Sequence, residues 1–163
     1  AGPVNDPAEI AASESAAAAF EKIAAKGSSF VSRGDDSGTH KAELKIWTAL
    51  GNTPVAGTDK WYISAGKGMG DCLTMADELN AYVLTDKATF LSMKTNLELG
   101  ILLAEGEDMK NTYSLIACNP EKHAGINAEG AQAFIDWMTK QDTLDKIAAF
   151  GIQEYSEALF YVN

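Results

Sequence analysis

The chain has 163 residues, 46 per cent of them apolar and only four of them proline, which is the size of one ordinary domain with enough apolar material for a core. Its formal charge of -10 denies it the basic field that a nucleic acid or an anionic membrane surface would require of a partner. Two cysteines, Cys72 and Cys118, are too few for a disulfide framework and stand in no CxxC or CxxH pattern, so both read as buried or partly buried free thiols and no metal or cofactor is expected. No apolar run reaches the length of a membrane span and no signal peptide is present; the opening Ala1-Gly2-Pro3, without an initiator methionine, reads as a processed or truncated product.

Asp6-Pro7-Ala8-Glu9 has the form of a capping box with proline at the first helical position, and predicts an alanine-rich helix running to Lys26 and ended by Gly27. Ser13 or Ser15 could instead cap a second segment and split the stretch into two helices. A short strand is expected over 28–32 and a helix over 41–50, with Ser37 at its N-cap and Gly38, Thr39 and His40 in its first turn. Residues 51–60 are turn-rich, with Pro54 and Gly57, and 61–64 forms a strand. Gly66-Lys67-Gly68-Met69-Gly70 then leads into a helix over 71–80, followed by a strand over 81–85 and a helix that Asp86 caps and Met93 ends. Further strands are expected over 97–104 and 113–118. The chain closes in amphipathic helix, with Ala131, Phe134, Ile135 and Met138 on one face and Leu144, Ile147 and Ala148 resuming it. Trp47, Trp61 and Trp137 read as core residues, and strands alternating with helices indicate an α/β fold.

The chemistry concentrates in Ser32-Arg33-Gly34-Asp35-Asp36-Ser37-Gly38-Thr39-His40, where a guanidinium, hydroxyls and glycines meet a helix start. First-turn amides lack intrahelical acceptors and the helix dipole adds positive potential, so the segment suits an oxyanion. Arg33 can give two parallel hydrogen bonds to a tetrahedral anion, Ser37 and Thr39 can donate, and Gly38 lets the main chain approach. Asp35 is expected to hold Arg33 in position, since an ionised carboxylate touching the ligand would require a proton on that ligand. A hydrolase with Ser37 as nucleophile and His40 as base is an alternative, weakened by the lack of a strained elbow such as GxSxG. Gly66-x-Gly68-x-Gly70 is either a flexible turn or a second helix start aimed at the same anion, with Met69 and Gly70 offering amides. His123 reads as a surface loop residue.

The run from Phe30 to Lys41, followed by Gly66-x-Gly68-Met69-Gly70, Ala81-Tyr82-Val83-Leu84-Thr85-Asp86, Asn119-Pro120-Glu121-Lys122-His123 and Ala133-Phe134-Ile135-Asp136-Trp137, resembles the solute-binding proteins of tungstate ABC transporters. The resemblance runs from about Pro3 to the end, and the shorter Ser-Arg-x-Asp-x-Ser-Gly-Thr pattern resembles phosphate-binding proteins of the same fold class. It implies a two-lobed type II periplasmic-binding-protein fold: one lobe with a central mixed sheet flanked by helices over 1–117, and over 118–163 a return segment that packs on the other lobe. Ser32, Arg33, Ser37, Gly38 and Thr39 fall on the anion-contacting segment of that family, Met69 and Thr85 on elements facing the cleft, and Lys87 where the family often has arginine. Family members carry an N-terminal segment that forms most of the first lobe, so half of the site is expected to come from a separate fragment or a swapped copy covering Phe134, Ile135, Met138 and Ile147. The implied protein is a non-enzymatic, extracytoplasmic binder, periplasmic or lipid-anchored, that holds tungstate as an oxyanion and hands it to an ABC permease. Phosphate or molybdate is the alternative ligand.

Overall fold

The computed structural model describes residues 1–162, in two compact units, Ala1–Lys110 and a second that begins at Asn111. In the first unit β1 (Gly2–Pro3) opens the chain and β2 (Phe30–Ser32) lies at the centre of a parallel sheet, between β3 (Tyr62–Ser64) and β4 (Tyr82–Val83). Register places Phe30 beside Tyr62 and Tyr82, and Val31 beside Ile63 and Val83. Because strand side chains alternate between faces, one face carries three aromatic rings and the other three smaller apolar residues. β1 pairs antiparallel with β5 (Leu99–Gly100) in a second, two-stranded sheet, and Ala1 exchanges two hydrogen bonds of 2.9 and 3.0 Å with Val83, which ties that pair to the β4 edge; the three-stranded sheet itself is parallel and not mixed.

Helices α1 (Ala16–Lys26) and α2 (Gly38–Ala49) cover the aromatic face. Phe20 stands 4.6 Å from Trp47 and 5.1 Å from Phe30 between ring centroids, close enough for each pair to add about 1 kcal/mol beyond the area buried. On the other face α3 (Met69–Glu78) packs on β2 and β4 through Cys72, Leu73 and Ala76, and α4 (Lys87–Met93) packs on α3.

α1 starts at Ala16, with Ser15 as its N-cap, and not after Pro7. Asp6 and Glu9 have φ of 41° and 58°, which a helix cannot continue through, and Asp6 accepts instead from the amides of Ile10 and Ala11 to close a single 3-10 turn at Ile10–Ala12. The first turn of α1 gains a distant partner: the Asp108 carboxylate accepts from Ala16 N at 3.2 Å and Ala17 N at 2.9 Å. The other helices of this unit form within two residues of expectation, with Ser37 and Asp86 as the N-caps of α2 and α4.

Two strand expectations are corrected. Only Leu99–Gly100 of 97–104 is paired, because β1 offers two residues and no more, and 113–118 forms no strand, having no ladder partner among the described residues. The second unit is helical, with α5 (Ala128–Met138), α6 (Gln141–Ala149) and α7 (Ile152–Tyr155). α5 and α6 pack together, and Ala131, Ile135, Met138, Leu144, Ile147 and Ala148 are half-buried along them. Phe134 and Trp137 are not: they lie 52 and 53 per cent exposed with rings 5.8 Å apart, so Trp137 is no core residue. One helix has two apolar stripes here, and α6 covers only one of them.

Candidate functional site

The C-terminal ends of β2, β3 and β4 point to one edge of the sheet, where in parallel α/β sheets ligands are held. The β2–α2 and β3–α3 connections are knitted together there: Ala65 N donates to Ser32 O at 2.9 Å and Lys67 N to Arg33 O at 3.2 Å. Gly34, at φ 61°, lies so close to the other connection that a Cβ would stand 2.0 Å from Ser64 Oγ. No larger residue could hold that crossing unstrained.

At the start of α2 the hydrogen bonds are organised by Asp35. Its Oδ2 accepts from Arg33 Nη2 at 2.5 Å and its Oδ1 from Ser37 N at 3.1 Å, while Ser37 Oγ accepts from His40 N at 3.3 Å as the N-cap. Hydrogen bonds from the Ser37 side chain and backbone, with the Arg33 guanidinium beside it, hold the Asp35 carboxyl down to about 2 against desolvation. The amides of Gly38 and Thr39, in the first helical turn, have no intrahelical acceptor. The start of α3 differs, because its N-cap is Gly68, which has no side chain to satisfy the amides of Met69 and Gly70.

Between these two helix starts lie two buried donors without partners, Ser32 Oγ and Arg33 Nε. An unpaired buried donor costs about 1–3 kcal/mol, so two of them in succession at the end of β2 mark a place built for an acceptor. Ser32, Arg33, Asp35, Ser37, Gly38 and Thr39 are thus gathered at one helix start, with Met69 and Gly70 at the adjoining one. Met69 is buried, and Gly70 approaches Met93, whose sulfur a Cβ would meet at 3.3 Å. Thr85 sits at the end of β4 on the same edge, its hydroxyl donating to Asp86 O at 3.0 Å.

His40 Nδ1 accepts from Asp36 N at 3.0 Å, and no hydrogen bond joins the imidazole to Ser37 Oγ among the described residues, so the pair is not arranged as base and nucleophile. His123 is exposed. Among the described residues no cluster of three or more His, Cys, Asp or Glu side chains is placed to hold a metal ion, and no helix is long and apolar enough to cross a membrane. A groove of about 310 Å³ lined by Glu21, Trp47, Asp59 and Trp61 carries two carboxylates and is a poor host for an anion.

One group at the site was not singled out by the sequence. Glu43, 2 per cent exposed, accepts through one oxygen from Tyr62 Oη at 2.7 Å and Trp47 Nε1 at 3.2 Å. Ser32 Oγ lies close enough to influence both Glu43 and Tyr62 yet makes no well-aligned hydrogen bond. Burial pushes the Glu43 carboxyl up, opposed by the hydrogen bonds from Tyr62 and Trp47, by the nearby Ser32 hydroxyl and by His40. Its signal was a glutamate three and four residues before Ile46 and Trp47, on the apolar stripe of α2.

The PBP superfamily domain profile matches residues 1–142. The chain is 43% identical over 164 residues to the tungstate-binding protein TupA of Peptoclostridium acidaminophilum, an alignment covering 99% of this chain and 56% of that protein. Among solved structures, the tungstate-binding protein TupA from Desulfovibrio alaskensis G20 superposes with a TM-score of 0.85 at 36% identity, covering 99% of this chain and 65% of that one. The structure titled as the tungstate ABC transporter from Geobacter sulfurreducens gives 0.72 at 38% identity, covering 91% and 62%. The chain spans about half the length of the curated relatives it matches.

Proposed function

The chain belongs to the PBP superfamily, and on that premise we propose that it forms part of an extracytoplasmic solute-binding protein that captures tungstate or a like oxyanion for an ABC permease. The protein is a carrier and not an enzyme. Residues 1–117 form one lobe, and 118–163 are the return segment of the other, whose remainder is a separate fragment or a swapped copy; the chain spans 56% of its Peptoclostridium relative. That lobe covers Phe134 and Trp137. Chain and missing lobe together are called the complete binder below.

The observation that carries this reading is the pair of buried, unpartnered donors, Ser32 Oγ and Arg33 Nε, between two helix starts. Arg33 is the charged clamp; Ser32, Thr39 and, on turning from Asp35, Ser37 donate through hydroxyls, Gly38, Met69 and Gly70 through amides, and Asp35 fixes the guanidinium. Thr85 stands at the rim. Closing a second lobe over the anion excludes water and strengthens each of these contacts.

Asp35 also bears on the choice of ligand. Its two oxygens are turned to the site's own donors, Arg33 Nη2 and Ser37 N, so the carboxylate holds the clamp and is not set against the ligand. A shell in which the groups facing the anion are all donors favours a fully ionised dianion over monohydrogen phosphate. Calorimetry on the complete binder at neutral pH tests both points. Tungstate or molybdate binds in competition, phosphate binds at least 100-fold more weakly, and Arg33→Ala abolishes tight binding. Unchanged affinity in Arg33→Ala overturns the reading.

A further inference from the structure

Behind the donors of the anion site lies a buried carboxylate that the capture of an anion does not by itself require. Glu43 projects from α2 beneath Ser32, and its Oε1 takes the Tyr62 and Trp47 donors together. Ser32 is fully buried, and its hydroxyl has a single proton to give. That proton has two claimants, the carboxylate behind it and an anion in front. If Glu43 is ionised, its charge draws the hydroxyl inward and repels a dianion across a dry interior, where charges interact far more strongly than in water. If Glu43 is protonated, its own O–H can donate to Ser32 Oγ, and the Ser32 proton is free to turn outward.

We propose that Glu43 is a positioning residue that takes up one proton from solvent when the oxyanion binds, so that the Ser32 hydroxyl donates to the anion and not to the carboxylate. This rests on the oxyanion-binding reading above and adds a proton to its stoichiometry. The groups around Glu43 fit a carboxyl poised to change state. His40 stands near it on its own helix and Tyr62 on β3, while across the sheet the Cys72 thiol of α3 feels its charge along with those of Arg33, Asp35 and Asp71. α1 meets this part of α2 through Phe20 on Trp47. Burial already pushes the carboxyl upward, and a dianion beyond Ser32 pushes it the same way. The sign follows: a complex that binds more protons than its free components gains affinity as pH falls.

The test is calorimetry of sodium tungstate binding to the complete binder in buffers of different ionisation enthalpy, which reads protons taken up per anion bound. Wild type takes up close to one proton where free Glu43 is ionised, and its Kd weakens about tenfold per pH unit there. Glu43→Gln keeps acceptors for Tyr62 and Trp47 but cannot titrate, so its uptake falls to near zero and its Kd becomes nearly flat with pH. His40→Gln retains the uptake, which separates the carboxyl from the imidazole. Should Glu43→Gln not fold, the tungstate-induced infrared difference spectrum of wild type supplies the readout, as a new band of a protonated carboxyl. Tungstate binding to wild type without proton uptake, uptake that persists in a folded Glu43→Gln, uptake lost in His40→Gln, or no new carboxyl band overturns the proposal and leaves anion capture standing. Absence of tungstate binding to wild type instead overturns the oxyanion reading on which it rests.

Discussion

The first unit and the second handle their aromatic residues in opposite ways. Phe20, Phe30, Trp47 and Tyr62 are each 6 per cent exposed or less, interlocked between α1, α2 and the sheet. Phe134 and Trp137 on α5 and Phe150 just past the end of α6 are each more than half exposed, where the two helices pack on each other along one stripe only. The difference teaches where stability resides: the first unit has closed its core, whereas the second carries apolar area that counts only when something covers it.

The largest effect is therefore expected from separating the two. Residues 1–110 alone should melt cooperatively with retained helical circular dichroism, and residues 111–163 alone should lose most of their helix signal. A cooperative melt of the second piece by itself would erase the contrast. Within the first unit, Gly34→Ala should destabilise by about 2 kcal/mol in a urea titration, since it meets both a left-handed backbone and Ser64. Asp108→Ala should cost about 1 kcal/mol by removing the acceptor for two α1 amides, and the early amides of that helix should exchange faster with deuterium. The smallest effect is a titration and not a melt. Asp35, lowered from 3.8, keeps its contacts above the ordinary value and gives them up as pH falls through about 2, so its carboxyl carbon shift should remain that of an anion at pH 3.

Much of the first unit was legible because its signals are local. Ser37 and Asp86 announced their helices as N-caps, Gly27 ended α1, and the run from Ser32 to Thr39 marked the turn into α2 by residue type. What escaped was set by distant partners. Tyr82 takes the Ala8 amide and donates to Asp6, so the capping box at Asp6 never starts a helix. The strand expected over 113–118 has the right residues and no neighbour to pair with, a property of topology that no window of sequence contains. Glu43 escaped for another reason: a lone acid in an apolar stripe looks like noise until Tyr62 and Trp47 are seen to meet it.

The bonds from Ala16 and Ala17 to Asp108 reach across 92 and 91 positions of the chain. During synthesis α1 emerges from the ribosome long before residue 108 does, and its leading turn must wait, frayed, for a carboxylate still to be translated. Local helix formation takes about a microsecond, whereas elongation at roughly 5–20 residues per second makes that wait several seconds. Helix α1 is thus made well before the partner that finishes it, a vulnerable interval for a chaperone to cover and for a protease to exploit.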